Sequence, residues 1–129
     1  MVYHTNDIMK TILFIEDESA LQKTVGDTLR GVGFEVFSAL DGEIGLRLAK
    51  DKNPDLIILD LILPKANGFE VLKALKETQE TAYIPVIVLT NLEAMEDIQK
   101  ALSLGATTYL VKANYTLQEL TEKVKSVLG

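Results

Sequence analysis

The sequence predicts an α/β fold, a doubly wound five-stranded parallel sheet built from five βα units, (βα)5. Three observations predict it. Short apolar runs rich in β-branched residues alternate with longer segments of helical period. Pro54 and Pro85 stand just ahead of two of those runs, where a missing N–H disturbs a ladder least. Crossovers between parallel strands are right-handed, so the helices must cover both faces of the sheet.

The predicted strands are Thr11–Glu16, Glu35–Ser38, Asp55–Asp60, Val86–Thr90 and Thr107–Val111. Between the first two, Leu21, Val25 and Leu29 mark one face of a helix, opened by a Ser19-x-x-Gln22 capping box and stopped near Gly31 and Gly33. Ile44 and Leu48 stripe the second helix. In the third, Asn67 caps, Glu70 answers three residues on, and Val71, Leu72 and Leu75 face inward. The fourth, around Glu93 to Leu104, has the weakest stripe, with Met95, Ile98, Ala101 and Leu102, and Gly105 as its stop. Thr116-x-x-Glu119 is a capping box for the last helix, where Leu117, Leu120, Val124 and Val127 recur at helical spacing.

The chain has 129 residues, enough for one compact domain, with 47% hydrophobic and 25% charged residues. Residues 1–8 read as a disordered lead-in and 9–129 as the domain; His4, the only histidine, falls in the lead-in and is expected to be inert. A net charge of −6 argues against nucleic-acid binding, which requires Lys and Arg to neutralise phosphates. No apolar run is long enough to span a membrane, and no signal-peptide pattern opens the chain. The absence of cysteine excludes thiolate metal sites and suits a cytoplasmic protein.

In open α/β sheets the site lies beyond the carboxyl ends of the strands. Those ends carry Glu16 and Asp17, Asp60, Thr90 and Lys112. Three clustered carboxylates repel one another by on the order of a few kcal/mol per close pair at an effective dielectric of about 20. Lys112 supplies one positive charge, and an oxygen-rich cluster of this kind suits a small hard dication such as Mg²⁺. Taken singly, Glu16-Asp17-Glu18 is an acidic first helical turn, Thr90 a cap, Tyr109 an edge-strand residue and Lys112 a surface lysine. Asp60, ending the run Leu56-Ile57-Ile58-Leu59, needs a partner or a functional reason.

From about Lys10 to Val127 the sequence resembles the receiver domains of two-component response regulators. The resemblance is carried by the pair Glu16-Asp17, the segment Asp60-Leu61-Ile62-Leu63-Pro64-Lys65-Ala66-Asn67-Gly68, then Thr90, Gly105-Ala106, Tyr109 and Lys112 in order. It implies the flavodoxin-like strand order 2-1-3-4-5 and a phosphoryl group accepted on Asp60. It also implies Mg²⁺ bound by Asp17, Asp60 and the Ile62 backbone carbonyl, with Glu16 helping through a coordinated water. Thr90 and Lys112 would then bind phosphoryl oxygens, and Thr90 and Tyr109 would act as the switch. The implied donor is a sensor histidine kinase, a histidine phosphotransfer protein or a small phosphodonor. No G-x-x-x-x-G-K-[ST] loop is present to bind a nucleotide. The implied output is a protein-binding surface on the fourth helix, fifth strand and fifth helix, with a phosphorylation-dependent homodimer left open. On this reading the chain is a signalling switch rather than an enzyme, one that takes part in its own phosphoryl transfer and slow self-dephosphorylation.

Four departures from the common family pattern stand out. Glu16 replaces the more usual aspartate, Ala113 follows Lys112 where proline is common, Leu63 takes a place often held by methionine, and both Ile62 and Leu92 are apolar. Ala113 predicts a trans link after Lys112. No output domain follows Gly129, so a stand-alone regulator and an excised receiver both remain open. Three other readings rank lower. An unphosphorylated receiver-like interaction domain is opposed by the intact Asp17, Asp60, Thr90 and Lys112 set. A flavodoxin-like cofactor protein is opposed by acids where a phosphate cradle would lie, and an aspartate-based phosphatase by Ile62 in the place of its second acid.

Overall fold

The computed structural model describes residues 9–129. The lead-in predicted for residues 1–8, with His4, lies outside the described residues. Five parallel strands, β1 (Thr11–Ile15), β2 (Glu35–Ala39), β3 (Leu56–Leu59), β4 (Val86–Thr90) and β5 (Thr108–Val111), form one sheet in the order β2-β1-β3-β4-β5. They alternate with α1 (Ser19–Gly31), α2 (Gly42–Lys52), α3 (Gly68–Glu77), α4 (Met95–Ser103) and α5 (Leu117–Leu128). The predicted class and strand order are those observed.

β1, β3 and β4 are buried on both faces, as near-continuous apolar runs require in a parallel sheet. On one face Leu13, Ile15, Ile57, Leu59, Val86 and Val88 pack against Ala49 of α2, Val71, Leu72 and Leu75 of α3, and Ala101 of α4. On the other, Ile12, Phe14, Ile58 and Ile87 meet Val25 and Leu29 of α1 and Leu120 and Val124 of α5. Alternate strand residues thus feed opposite helix layers.

The strand ends differ from prediction by a residue, for a physical reason. Glu16 and Asp60 lie just past β1 and β3: their amides still reach the carbonyls of Ala39 (2.9 Å) and Ile15 (3.0 Å), while their side chains turn to the site. At the opposite end Asp55 lies just before β3: its amide donates to the Thr11 carbonyl (2.8 Å), and its carboxylate accepts the Thr11 amide (2.8 Å) and hydroxyl (3.2 Å).

Capping follows the sequence at α5, in part at α3, and departs from it at α1. Thr116 with Glu119 forms the full reciprocal box; Asn67 accepts from the Phe69 amide, but the expected answering bond from the Glu70 side chain does not form. The Ser19-x-x-Gln22 box does not form. Glu18 is the N-cap of α1, and Gln22 is buried with its amide drawn to strand-end carbonyls instead. Gly33 and Gly105, with φ of 105° and 107°, take the left-handed turn after α1 and α4. Only Ala101 of α4 is fully buried; Met95 and Leu102, expected in its inward stripe, are 65% and 46% exposed.

Candidate functional site

The parallel register brings the ends of four strands to one edge. Ile15 lies beside both Ala39 and Leu59, and Thr90 beside Val111, so the residues that follow converge. Glu16, Asp17 and Asp60 each offer a carboxylate oxygen within 4.8 Å of the others. Glu16 and Asp60 are buried, at 1% and 3% exposure, whereas Asp17 faces solvent. Lys112 opens a 3₁₀ turn just past β5 and reaches across the sheet edge. Its ammonium lies 2.6 Å from Glu16 Oε1 and 2.9 Å from Asp60 Oδ2. Two of the three clustered carboxylates therefore share a single ammonium.

That imbalance shows in the proton affinities. Burial pushes the Glu16 carboxyl up from 4.5 to about 7; the hydrogen bond from Lys112 opposes the rise and the Asp60 charge adds to it. Burial by itself would depress Lys112, but its bonds to Glu16 and Asp60 more than offset this, so its pKa is raised and the ammonium stays charged. A carboxyl whose folded pKa is raised binds its proton more tightly in the native state. The stability linked to Glu16 is therefore complete below about 4.5 and lost as pH climbs through about 7. In metal-free buffer, Glu16→Gln should gain thermal stability relative to the native chain as pH rises through this window. Melting curves on either side of pH 7 read the effect, and a constant difference between the two proteins would refute it.

The loop after Asp60 is pinned at both ends. The Ile62 amide donates to Asp60 Oδ1 (3.1 Å), which holds the Ile62 backbone at the carboxylate. The Gly68 amide donates to the Leu61 carbonyl (3.0 Å), and a Cβ on Gly68 would lie 2.3 Å from Leu61 Cα. Backbone cannot yield as a flexible side chain can, so only glycine fits there. Gly68→Ala should destabilise the fold by about 1–3 kcal/mol, as overpacking does, and lower the melting temperature by several degrees. A wild-type midpoint would show that the loop simply moves aside. Lys65, in the same loop, pairs at 3.6 Å with Asp41, which caps α2 by accepting from the Ile44 amide. Sequence reading passed over Asp41, although an aspartate just before the helical segment at Gly42 is a capping signal.

Thr90 is fully buried, and its hydroxyl has no hydrogen-bond partner among the described residues. A buried hydroxyl left unpaired costs about 1–3 kcal/mol, which a polar guest at the site would relieve. Tyr109 is half-buried; its hydroxyl donates to the Leu92 carbonyl (2.9 Å) in the loop after β4. Burial raises its pKa, with the charges of Asp97 and Asp60 adding to the shift. The Lys112–Ala113 link is trans, as the alanine predicts. The set is all-oxygen, anionic in excess and partly dehydrated, and it fits a hard divalent ion such as Mg²⁺.

Known proteins share this sequence pattern and fold. Residues 12–125 match the family model of the response regulator receiver domain. The chain belongs to that family. Among curated relatives, this receiver is 39% identical to the DNA-binding dual master transcriptional regulator RpaA of a Synechocystis species, over 93% of its own length and 49% of that protein. It is 41% identical to the transcriptional regulatory protein CiaR of Streptococcus pneumoniae, over 93% of its length and 52% of CiaR. The receiver thus spans about half the length of these curated relatives. Among solved structures it superposes on the chemotaxis protein CheY4 of Vibrio cholerae with a TM-score of 0.87 at 31% identity, covering 93% of this chain and 99% of that one. None of the helices described in this receiver is long and apolar enough to cross a membrane.

Proposed function

We propose that this receiver accepts a phosphoryl group on Asp60 from a phosphohistidine of a sensor histidine kinase or histidine phosphotransfer protein, in a Mg²⁺-dependent step. The observation that carries the reading is the buried Asp60 carboxylate, bonded at Oδ2 to Lys112 and flanked by two further acids. A carboxylate oxygen of Asp60 forms the new P–O bond as the P–N bond of the donor breaks, and the imidazole departs. Lys112 and the unpaired Thr90 hydroxyl receive phosphoryl oxygens. Transfer of this kind needs positioning and charge compensation more than covalent chemistry. Asp17, Asp60 and the Ile62 carbonyl would hold the ion, with Glu16 joined through a coordinated water. When bound, Mg²⁺ offsets charge on the phosphoryl oxygens.

Phosphorylation brings to Asp60 a charge of about −1.5 to −2, by analogy with other phosphorylated side chains. The Thr90 hydroxyl is then drawn to the phosphoryl group, and Tyr109 follows into the space it leaves. This biases a two-state surface on α4, β5 and α5. The thin burial of α4 supports a loosely held element there. Intact-mass analysis after incubation with acetyl phosphate tests the reading. One phosphoryl mass is expected with Mg²⁺ and none with a chelator, and uptake independent of the metal would defeat it.

Lifetime follows from the two apolar residues at the rim. Ile62 is 53% exposed and Leu92 half-buried, and neither can orient an attacking water. Self-dephosphorylation should be slow. Ile62→Asn and Leu92→Glu should each shorten the phosphoryl half-life several-fold, followed by mass after the donor is removed; unchanged half-lives in both would sink the explanation.

A further inference from the structure

Gln22 is the only polar side chain among the buried residues of α1, at 6% exposure. Its Nε2 donates to three main-chain carbonyls, those of Phe14 (2.8 Å), Glu16 (3.0 Å) and Ala39 (3.0 Å). An amide nitrogen has two hydrogens, so one is shared between acceptors. The three carbonyls lie at the end of β1, just past it, and at the end of β2. One side chain therefore ties two strands together where they open onto the acids.

The Glu16 carbonyl belongs to the peptide joining Glu16 to Asp17. That peptide is planar, so fixing the direction of its carbonyl fixes the course of the chain into Asp17. Asp17 is solvent-exposed, and its carboxylate is within 4.8 Å of its two acidic neighbours with no side-chain hydrogen bond among the described residues to keep it there. Its placement has to come from the backbone. Meanwhile Gln22 Oε1 is buried and unpaired, a cost that a methionine or leucine filling the same space would avoid. The amide thus does more than fill space.

We infer that Gln22 is a positioning residue for the acidic pair: its amide orients the Glu16–Asp17 peptide so that both carboxylates face Asp60. The inference rests on the metal-dependent reading above. Outer partners that orient metal ligands typically change metal affinity by about 10- to 100-fold when removed.

Isothermal titration of MgCl₂ into the metal-free chain tests it without any phosphodonor. Gln22→Met keeps the length and bulk and removes the donors. It should bind Mg²⁺ about tenfold more weakly than the native chain, with an unchanged far-ultraviolet dichroism spectrum. Equal affinity in a folded Gln22→Met, whatever its melting temperature, overturns the inference and leaves the metal reading intact. Failure of the native chain to bind Mg²⁺ overturns the metal reading, and the inference with it. Should Gln22→Met not fold, Gln22→Asn replaces it, since its amide stops one methylene short of the carbonyls; weaker binding again supports the inference and equal binding overturns it.

Discussion

Asp60→Asn is expected to take up no phosphoryl group from acetyl phosphate, in Mg²⁺, under conditions that saturate the native chain. The exchange preserves shape but removes the charge that attacks, helps hold the ion and pairs with Lys112: a carboxamide oxygen carries no formal charge and forms no stable acyl phosphate. Neither neighbouring acid is expected to stand in for it. Glu16 is 1% exposed and engaged at 2.6 Å with Lys112. Asp17 is exposed, outside the contact that Lys112 makes with Asp60. Intact mass reads the result, and residual uptake in the variant would mean that another side chain accepts.

The next largest loss belongs to Lys112. Its ammonium contacts both buried acids and is itself only 18% exposed, so it acts where water screens poorly. Lys112→Met retains the length of the arm and removes the charge. Loss of one preorganised donor to a developing oxyanion typically costs about 100- to 1000-fold in rate, and the rate of phosphoryl mass gain at saturating donor should fall by that much. The variant also removes the bond that restrains the rise in the Glu16 pKa, so Glu16 should hold its proton to higher pH and ease the crowding of charge. The fold should therefore survive. A rate within a few-fold of native would show that Lys112 pairs with the acids in the resting protein and does not touch the transferring group.

Most of this architecture is legible in the residues because it is set by local pattern. The run Leu56 to Leu59 is apolar throughout, as a strand covered on both faces must be, and Pro54 and Pro85 mark where β3 and β4 are about to begin. The acids and Lys112 are legible as strand-end polar residues, since a parallel sheet sends all its carboxyl ends one way. What local pattern misses is competition from distant partners. Ser19-x-x-Gln22 reads as a capping box, yet the Gln22 Nε2 donates to three carbonyls at the ends of β1 and β2, and its Oε1 accepts no backbone N–H at the start of its own helix. Met95 and Leu102 fit a helical stripe, but α4 meets the sheet chiefly through Ala101, and they remain outside. The need for glycine at position 68 is likewise tertiary, because it comes from the Leu61 backbone and not from a strained φ.

The central claim, that one aspartate among three clustered acids is the phosphoryl acceptor, is tested most directly by locating the modification. Borohydride reduction cleaves an aspartyl phosphate to homoserine, and peptide mass analysis of the chain phosphorylated in Mg²⁺ then names the position. Homoserine at position 60 alone is the predicted result. Reduction at position 17, or a stable phosphoryl mass that borohydride does not remove, would contradict the account.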